Sequence, residues 1–302
     1  MTARRQELRS NLATVQGNLG HVDQALALAE RALAIQVQLG TTNGPGGGVV
    51  ETYVGLYCAM VGRYREALEH FDAAIARFRR DGQTLWIAVA SNHRAQCLLE
   101  LGQFARARQA LDYDAPPVDS VRTRGATIAA RIDRALGHPD AAARGRILEL
   151  IDRPGEFQVR MHALLDQTAL LDPEVAVARC EDIARQAGEL EYIGVAMRAR
   201  LLRAAGLHRA ARSDEAAALL RELLPRLATV QPADMYVPEV WWIAMQVFEA
   251  CGASEDATMS LAQGTRWIRE AALPNVPETF QESFLNRNAV NRAFVAAAHR
   301  SS

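Results

Sequence analysis

The sequence predicts an all-α fold, a right-handed α-solenoid of about seven helical hairpins closed by a C-terminal capping helix. Three observations predict it. Of the 302 residues 49% are apolar but only 6% aromatic, with Ala and Leu recurring throughout, which suits short helices packed through small side chains. A pattern of helix end, glycine, short turn and new helix returns along the chain. The alanine near the start of each second helix recurs at Ala25, Ala67, Ala107, Ala142, Ala176, Ala216 and Ala257, separated by 42, 40, 35, 34, 40 and 41 residues.

Each element follows from local chemistry. Leu19-Gly20, Val61-Gly62, Leu101-Gly102 and Leu136-Gly137 end first helices, because glycine enters the left-handed region that closes a helix without a Cβ clash. The alanine that follows lets two antiparallel helices approach closely. Asp172-Pro173 replaces the glycine turn before Ala176, Ala211 replaces it before Ala216, and Gly252 restores it before Ala257. The hairpins therefore span roughly 4–38, 49–80, 84–113, 119–152, 155–188, 190–228 and 237–272 within one domain. Ala67, Leu68, Phe71, Ala74 and Ile75 fall on one helical face, as do Ala25, Leu26, Ala29, Ala32 and Leu33.

Gly40 to Gly48, the glycine-dense stretch, reads as a loop; a phosphate cradle needs a Gly-Lys-Ser/Thr ending, and here Val49 and Val50 follow. Residues 278–299 read as one capping helix with Phe280, Phe284, Leu285, Val290 and Phe294 on its buried stripe. Trp241 and Trp267 read as core, and Trp242 as either facing a groove or covered by the capping helix. A solenoid end left open puts an apolar face in water, so truncation after Pro277 is expected to yield aggregates, read by size-exclusion chromatography.

Charge and chemistry narrow the function classes. The 34 basic residues are all Arg and balance 35 acidic ones to a net charge of −1, so no global field draws the chain to nucleic acid or to an anionic membrane. Without lysine there is no Schiff-base or phosphate-loop amine. Cys58, Cys97, Cys180 and Cys251 have no metal-ligand spacing and read as small buried hydrophobes. No apolar run of about 18 residues is present to span a bilayer, and no leader segment is visible, so a cytoplasmic location is expected. His93 and Glu100 share a helix seven residues apart but lack a third partner for metal or acid–base chemistry. The expectation is a non-enzyme with no cofactor and no metal.

The glycine-ended first helices, the aromatics after the turn at Tyr64 and Phe104, and the Ala67, Phe71, Ala74 spacing resemble the tetratricopeptide repeat family. Val276-Pro277-Glu278, Phe280, Glu282-Ser283-Phe284-Leu285, Arg287-Asn288 and Val290-Asn291-Arg292 are similar to the closing segment of repeat arms in bacterial ATPase-type transcriptional regulators and cyclases. The chain resembles such an arm by itself, whether standalone or excised. The resemblance implies that first helices line a concave groove, whose residues would be Asn11, Thr14 and Asn18, then Thr52, Tyr53 and Leu56, then Asn92, His93 and Gln96. Arg124, Arg131 and Arg134 continue the face as a guanidinium stripe that could anchor an acidic group.

The implied partner is a protein or extended peptide, with no direct nucleic-acid or membrane contact. An underprotected end hairpin offers a homodimer contact. The alternative is a small-molecule, inducer-sensing domain that controls a linked ATPase, cyclase or transcription regulator. Chaperone C-terminal tails are not expected partners, because the first three groove faces carry no Lys or Arg.

Overall fold

The computed structural model describes residues 12–41, 46–114, 116–138 and 157–300. Among them there is no strand; the chain is an all-α solenoid of helical hairpins. Residues 12–18 form α1, followed by α2 (Val22–Gln38), α3 (Gly47–Met60), α4 (Tyr64–Arg80), α5 (Thr84–Glu100), α6 (Phe104–Ala110) and α7 (Asp119–Ala135). After residue 156 come α8 (Phe157–Gln167), α9 (Pro173–Glu189), α10 (Ile193–Arg209), α11 (Ser213–Leu223), α12 (Val237–Ala250), α13 (Ser254–Arg266), α14 (Glu278–Asn286) and α15 (Ala289–Arg300).

The turns are built as the glycines predict. Gly20, Gly62, Gly102, Gly137 and Gly252 have φ between 70° and 85°. At Gly62 the amide donates to Ala59 O and the next amide, Arg63 N, donates to Cys58 O at 2.8 Å, which is the paired closure of a left-handed helix end. Gln103 N to Leu98 O and Ala253 N to Phe248 O repeat it. Ala211 makes the same closure with Arg212 N on Leu207 O, at a φ of 59° that an alanine reaches only against its Cβ. Asp172 caps α9 by accepting from Glu174 N, with Pro173 in the first turn where a missing N–H is harmless.

Ala25, Ala67, Ala107, Ala176, Ala216 and Ala257 are all buried at these hairpin contacts. Ala142 lies outside the described residues.

Two compact units are present. The first comprises Met1–Gly17, Val22–Glu156 and Ala271–Asn288; the second comprises Asn18–His21, Phe157–Glu270 and Ala289–Ser302. In the first unit α3, α5 and α7 pack side by side as the first-helix layer, with α2, α4 and α6 as their partners. The core there includes Tyr64, Phe71, Phe78, Leu98, Leu101, Ile128 and Ile132. In the second unit α8, α10 and α12 form the corresponding layer over Leu201, Leu207, Leu220, Leu223, Val247 and Phe248.

Three sequence expectations need correction. The glycine-dense stretch is not loop to its end, since Gly47 and Gly48 are buried in the first turn of α3. A Cβ on Gly48 would lie 2.7 Å from the Phe78 ring, so glycine there admits the aromatic of the neighbouring helix. Trp241 and Trp267 are half-buried, not core. The capping helix is two helices, broken at Arg287 and Asn288, whose amides both turn back to Ser283 O.

The break separates two packing jobs. Within the first unit, α14 docks on the turn side of the second and third hairpins: Ser283 Oγ donates to Leu101 O and accepts from Gln103 Nε2 at 2.6 Å, and Asn288 Nδ2 donates to Glu100 O. Phe284 packs on Tyr64, with Arg106 over Phe280 and Arg287 over Phe104. Within the second unit, α15 covers α12 and α13, with Phe294 edge-on to Trp242 at 5.2 Å. Trp242 therefore takes the second of its two predicted roles.

A helical Gly→Ala change normally stabilises by about 1 kcal/mol. At Gly264 the sign should reverse, because a Cβ would lie 2.2 Å from Phe294 Cζ and overpacking costs roughly 1–3 kcal/mol. Gly188, with nothing near its missing Cβ, is the control. Thermal melts should show Gly264→Ala melting below the parent protein and Gly188→Ala at or above it; a stabilised Gly264→Ala would refute the packing assigned to α15.

Candidate peptide-binding face

The first-helix layer of the first unit holds every described candidate site residue but Asn18, which belongs to the second unit. Its polar side chains divide into those that hold the layer together and those that remain on its surface. Thr52 is buried, and its Oγ1 donates to Gly48 O at 2.8 Å on its own helix. Asn92 is buried too: Nδ2 donates to Val121 O at 3.1 Å, and Oδ1 accepts from Tyr113 Oη at 2.7 Å. Neither lines a groove. Asn92 instead fastens α5 to α7 through its amide, with the carbonyl oxygen on Tyr113 and the NH2 on Val121 O. Burial raises the Tyr113 phenol above its ordinary range, partly offset by the Asn92 bond.

The remaining candidates stay nearer the surface. Thr14 and Asn18 on α1, Tyr53 and Leu56 on α3, and His93 and Gln96 on α5 are half-buried; Asn11 lies outside the described residues. Tyr53 stacks on Tyr57, whose hydroxyl donates to Ala13 O at 3.1 Å, so the ring is braced against the first hairpin. His93 stacks on Phe71 with ring centroids 6.2 Å apart. Gln96 accepts from Arg131 Nη1 at 2.9 Å and donates to Glu100 Oε1 at 2.9 Å, while Tyr64 Oη donates to Glu100 Oε2 at 3.0 Å.

Arg131, Gln96, Glu100 and Tyr64 thus form one polar chain across α7, α5 and α4. Sequence reasoning placed Gln96 and Arg131 on one face, and the fold joins them directly. Arg124 is half-buried and Arg134 exposed, and all three stripe arginines are engaged within the protein. The surface can offer a partner hydrogen-bond donors, one aromatic at Tyr53 and one imidazole at His93. Among the described residues no three His, Cys, Asp or Glu side chains converge as a metal site, and no helix is long and apolar enough to cross a membrane.

Sequence reasoning missed a second polar cluster, in the second unit. Arg198 on α10, only 4% exposed, meets His162 and Asp166 of α8 and Asp234 of the loop before α12. The signal was present: His162 and Asp166 share a helical face four residues apart, and Arg198 follows about one repeat later, amid an apolar stretch.

The family model of the tetratricopeptide repeat matches residues 5–80 and 48–112, which covers the first three hairpins. No curated protein matches the chain. Tetratricopeptide repeats serve generally as non-enzymatic protein-interaction scaffolds, and the matched part of the chain includes the first three helices of the candidate face.

The thiols fit that reading. Burial pushes Cys58 up to about 12 and Cys180 to about 11, and lifts Cys97 well above the usual thiol range. Cys251, half-buried, is the exception among the four. With a chromogenic disulfide reagent at pH 8, one thiol per chain should react in the folded protein and four after denaturation; rapid reaction of all four before denaturation would contradict the burial.

Proposed function

We propose that the chain is a protein-binding scaffold whose first-helix face across α1, α3, α5 and α7 receives an extended peptide segment. The observation that carries the reading is the continuity of that face. Tyr53 and Leu56, His93 and Gln96, and Arg131 stand on helices packed in succession, and the direct contact of Gln96 with Arg131 supports reading them as one row. Amide and guanidinium donors suit backbone carbonyls and carboxylates, and Tyr53 supplies an apolar platform. An acidic residue of the partner is placed at the Arg124, Arg131 and Arg134 end. A polar, partly aromatic surface of this kind recognises locally, as the nearly neutral chain requires.

The finer role is that of a sensor arm in a bacterial regulatory system, acting in the cytoplasm. It rests on the likeness of the 276–292 segment to the closing segments of regulator and cyclase repeat arms. The alternative within that role, an inducer-sensing domain, draws on the buried charged cluster around Arg198, since small polar ligands are held by few, well-placed charged groups.

The test is a capture experiment from bacterial lysate with the full chain as bait. The combined variant Arg124→Ala, Arg131→Ala and Arg134→Ala, and separately His93→Ala with Gln96→Ala, should each weaken the captured partner at least about tenfold, the loss of one or two charge-assisted hydrogen bonds. Arg185→Ala, which removes only an exposed pairing with Asp182 and Glu189, should leave capture unchanged. A partner held equally by all three variants would move the interaction off this face.

A further inference from the structure

The geometry points to a carboxylate-binding site in the second unit, built on Arg198 and closed in this structure by the protein's own Asp234. The site lies on the first-helix layer formed by α8, α10 and α12, apart from the peptide-binding face proposed above and independent of it.

Arg198 sits at the centre. Its Nη2 donates to Asp166, and its Nη1 contacts His162 Nδ1 at 2.9 Å and donates to Asp234 Oδ2 at 3.3 Å. The side chains of Arg198 and Asp166 are 5% and 7% exposed. The Arg198 Nε–H, equally enclosed, has no acceptor. A guanidinium is normally buried with its donors matched, because each unmatched N–H forgoes hydration without a replacement. The anchor therefore keeps one donor for a group that the chain does not supply.

The two carboxylates on Arg198 are held differently. Asp166 projects from α8, a regular helix, and makes the short contact. Asp234 belongs to the connection from Val230 to Tyr236, which runs over the layer: Gln231 N donates to Gly20 O at 2.8 Å, and Ala233 N donates to Gly194 O at 2.9 Å. Gly194 admits it closely, since a Cβ there would lie 3.1 Å from Ala233 Cβ. Asp234 itself has φ 54°, a left-handed turn conformation that Asp adopts more readily than most non-glycine residues. A turn residue outside the helices thus delivers the longer of the two carboxylate bonds.

That is the arrangement of a tethered acid standing in for a free one. Arg198 and the fixed Asp166 define the receptor, and Asp234 is the displaceable occupant. An incoming small carboxylate takes the Nη1 position from Asp234, while the Nε–H lies on the other edge of the guanidinium, beside Nη2 and Asp166. Exchange of Asp234 for a carboxylate of the ligand keeps a negative partner on Nη1, which avoids stranding Arg198. Displacement also frees the Val230 to Tyr236 connection, so occupancy is linked to the order of that segment. The tethered acid competes at an effective concentration on the order of millimolar, so free ligand binds the intact chain weakly.

Succinate, a small dicarboxylate, is the probe, with sodium chloride at equal ionic strength as control. Titration calorimetry on the full chain should show saturable binding that strengthens about tenfold or more in Asp234→Asn and in Asp234→Gly, since glycine accepts the positive φ without the acid. Adding Arg198→Gln to Asp234→Asn should abolish it. Hydrogen exchange on the unaltered protein gives a reading free of variants: saturating succinate should speed exchange of the Ala233 amide by releasing its bond to Gly194 O. No saturable binding to either Asp234 variant, or binding that survives Arg198→Gln, would overturn the site. An Ala233 amide unmoved by succinate would overturn the displacement.

Discussion

The left-handed residue that ends all the described first helices but α8 governs the rest of the molecule. A helix can reverse within three residues only if one of them leaves the right-handed region, and the doubled amide closure then fixes where the second helix starts. Once the start is fixed, the alanine a few residues on is carried into the interhelical contact, where its small side chain lets the backbones approach. Spacing between successive turns then sets the stacking of hairpins, and stacking is what buries faces that no single hairpin could bury. Where Ala211 replaces glycine the constraint persists: the turn is kept and the strain tolerated, because the neighbouring hairpins have nowhere else to pack.

Burial of polar groups follows the same hierarchy. Where α5 meets α7 the buried Asn92 bonds across the layer to Val121 O and so joins the two helices. Glu51 and Arg77 join α3 and α4 differently, as an ion pair with the glutamate buried and the arginine reaching out of the hairpin. These groups join the helices, so they cannot also be offered to a partner. What a partner meets is the half-buried row from Tyr53 to Arg131, where Gln96 and Arg131 already bond one another near the surface and exchange that bond on binding. The second unit spends its buried charge otherwise, collecting it around Arg198 under one connection, where a single exchange of carboxylates can alter the order of a whole segment.

The C-terminal residues show how packing divides a continuous pattern. The apolar stripe through Phe280, Phe284 and Phe294 reads as one helix, because a helix of that length would bury all three. The chain instead turns at Arg287 and Asn288, and Asn288 spends its amide on Glu100 O. Two short helices each cover a surface of their own unit, which one straight helix would leave partly bare.

The sequence by itself determined the class of fold, the position of nearly every turn and the alanines at the hairpin contacts. All of these are set by residues within a few positions of one another: glycine's access to positive φ, a cap before Glu174, a methyl side chain where two backbones meet. It also determined that the first-helix face is polar, and it named Gln96 and Arg131. Only the tertiary structure decided which of those polar groups are spent internally, as Thr52 and Asn92 are, why Gly47 and Gly48 are helical beneath Phe78, and where the last helix breaks. It alone assembled His162, Asp166, Arg198 and Asp234. The physical reason is that burial, hydrogen-bond partnering and ion pairing belong to surfaces that meet across tens of residues of chain, and helical period places a side chain on a face without saying what that face will touch.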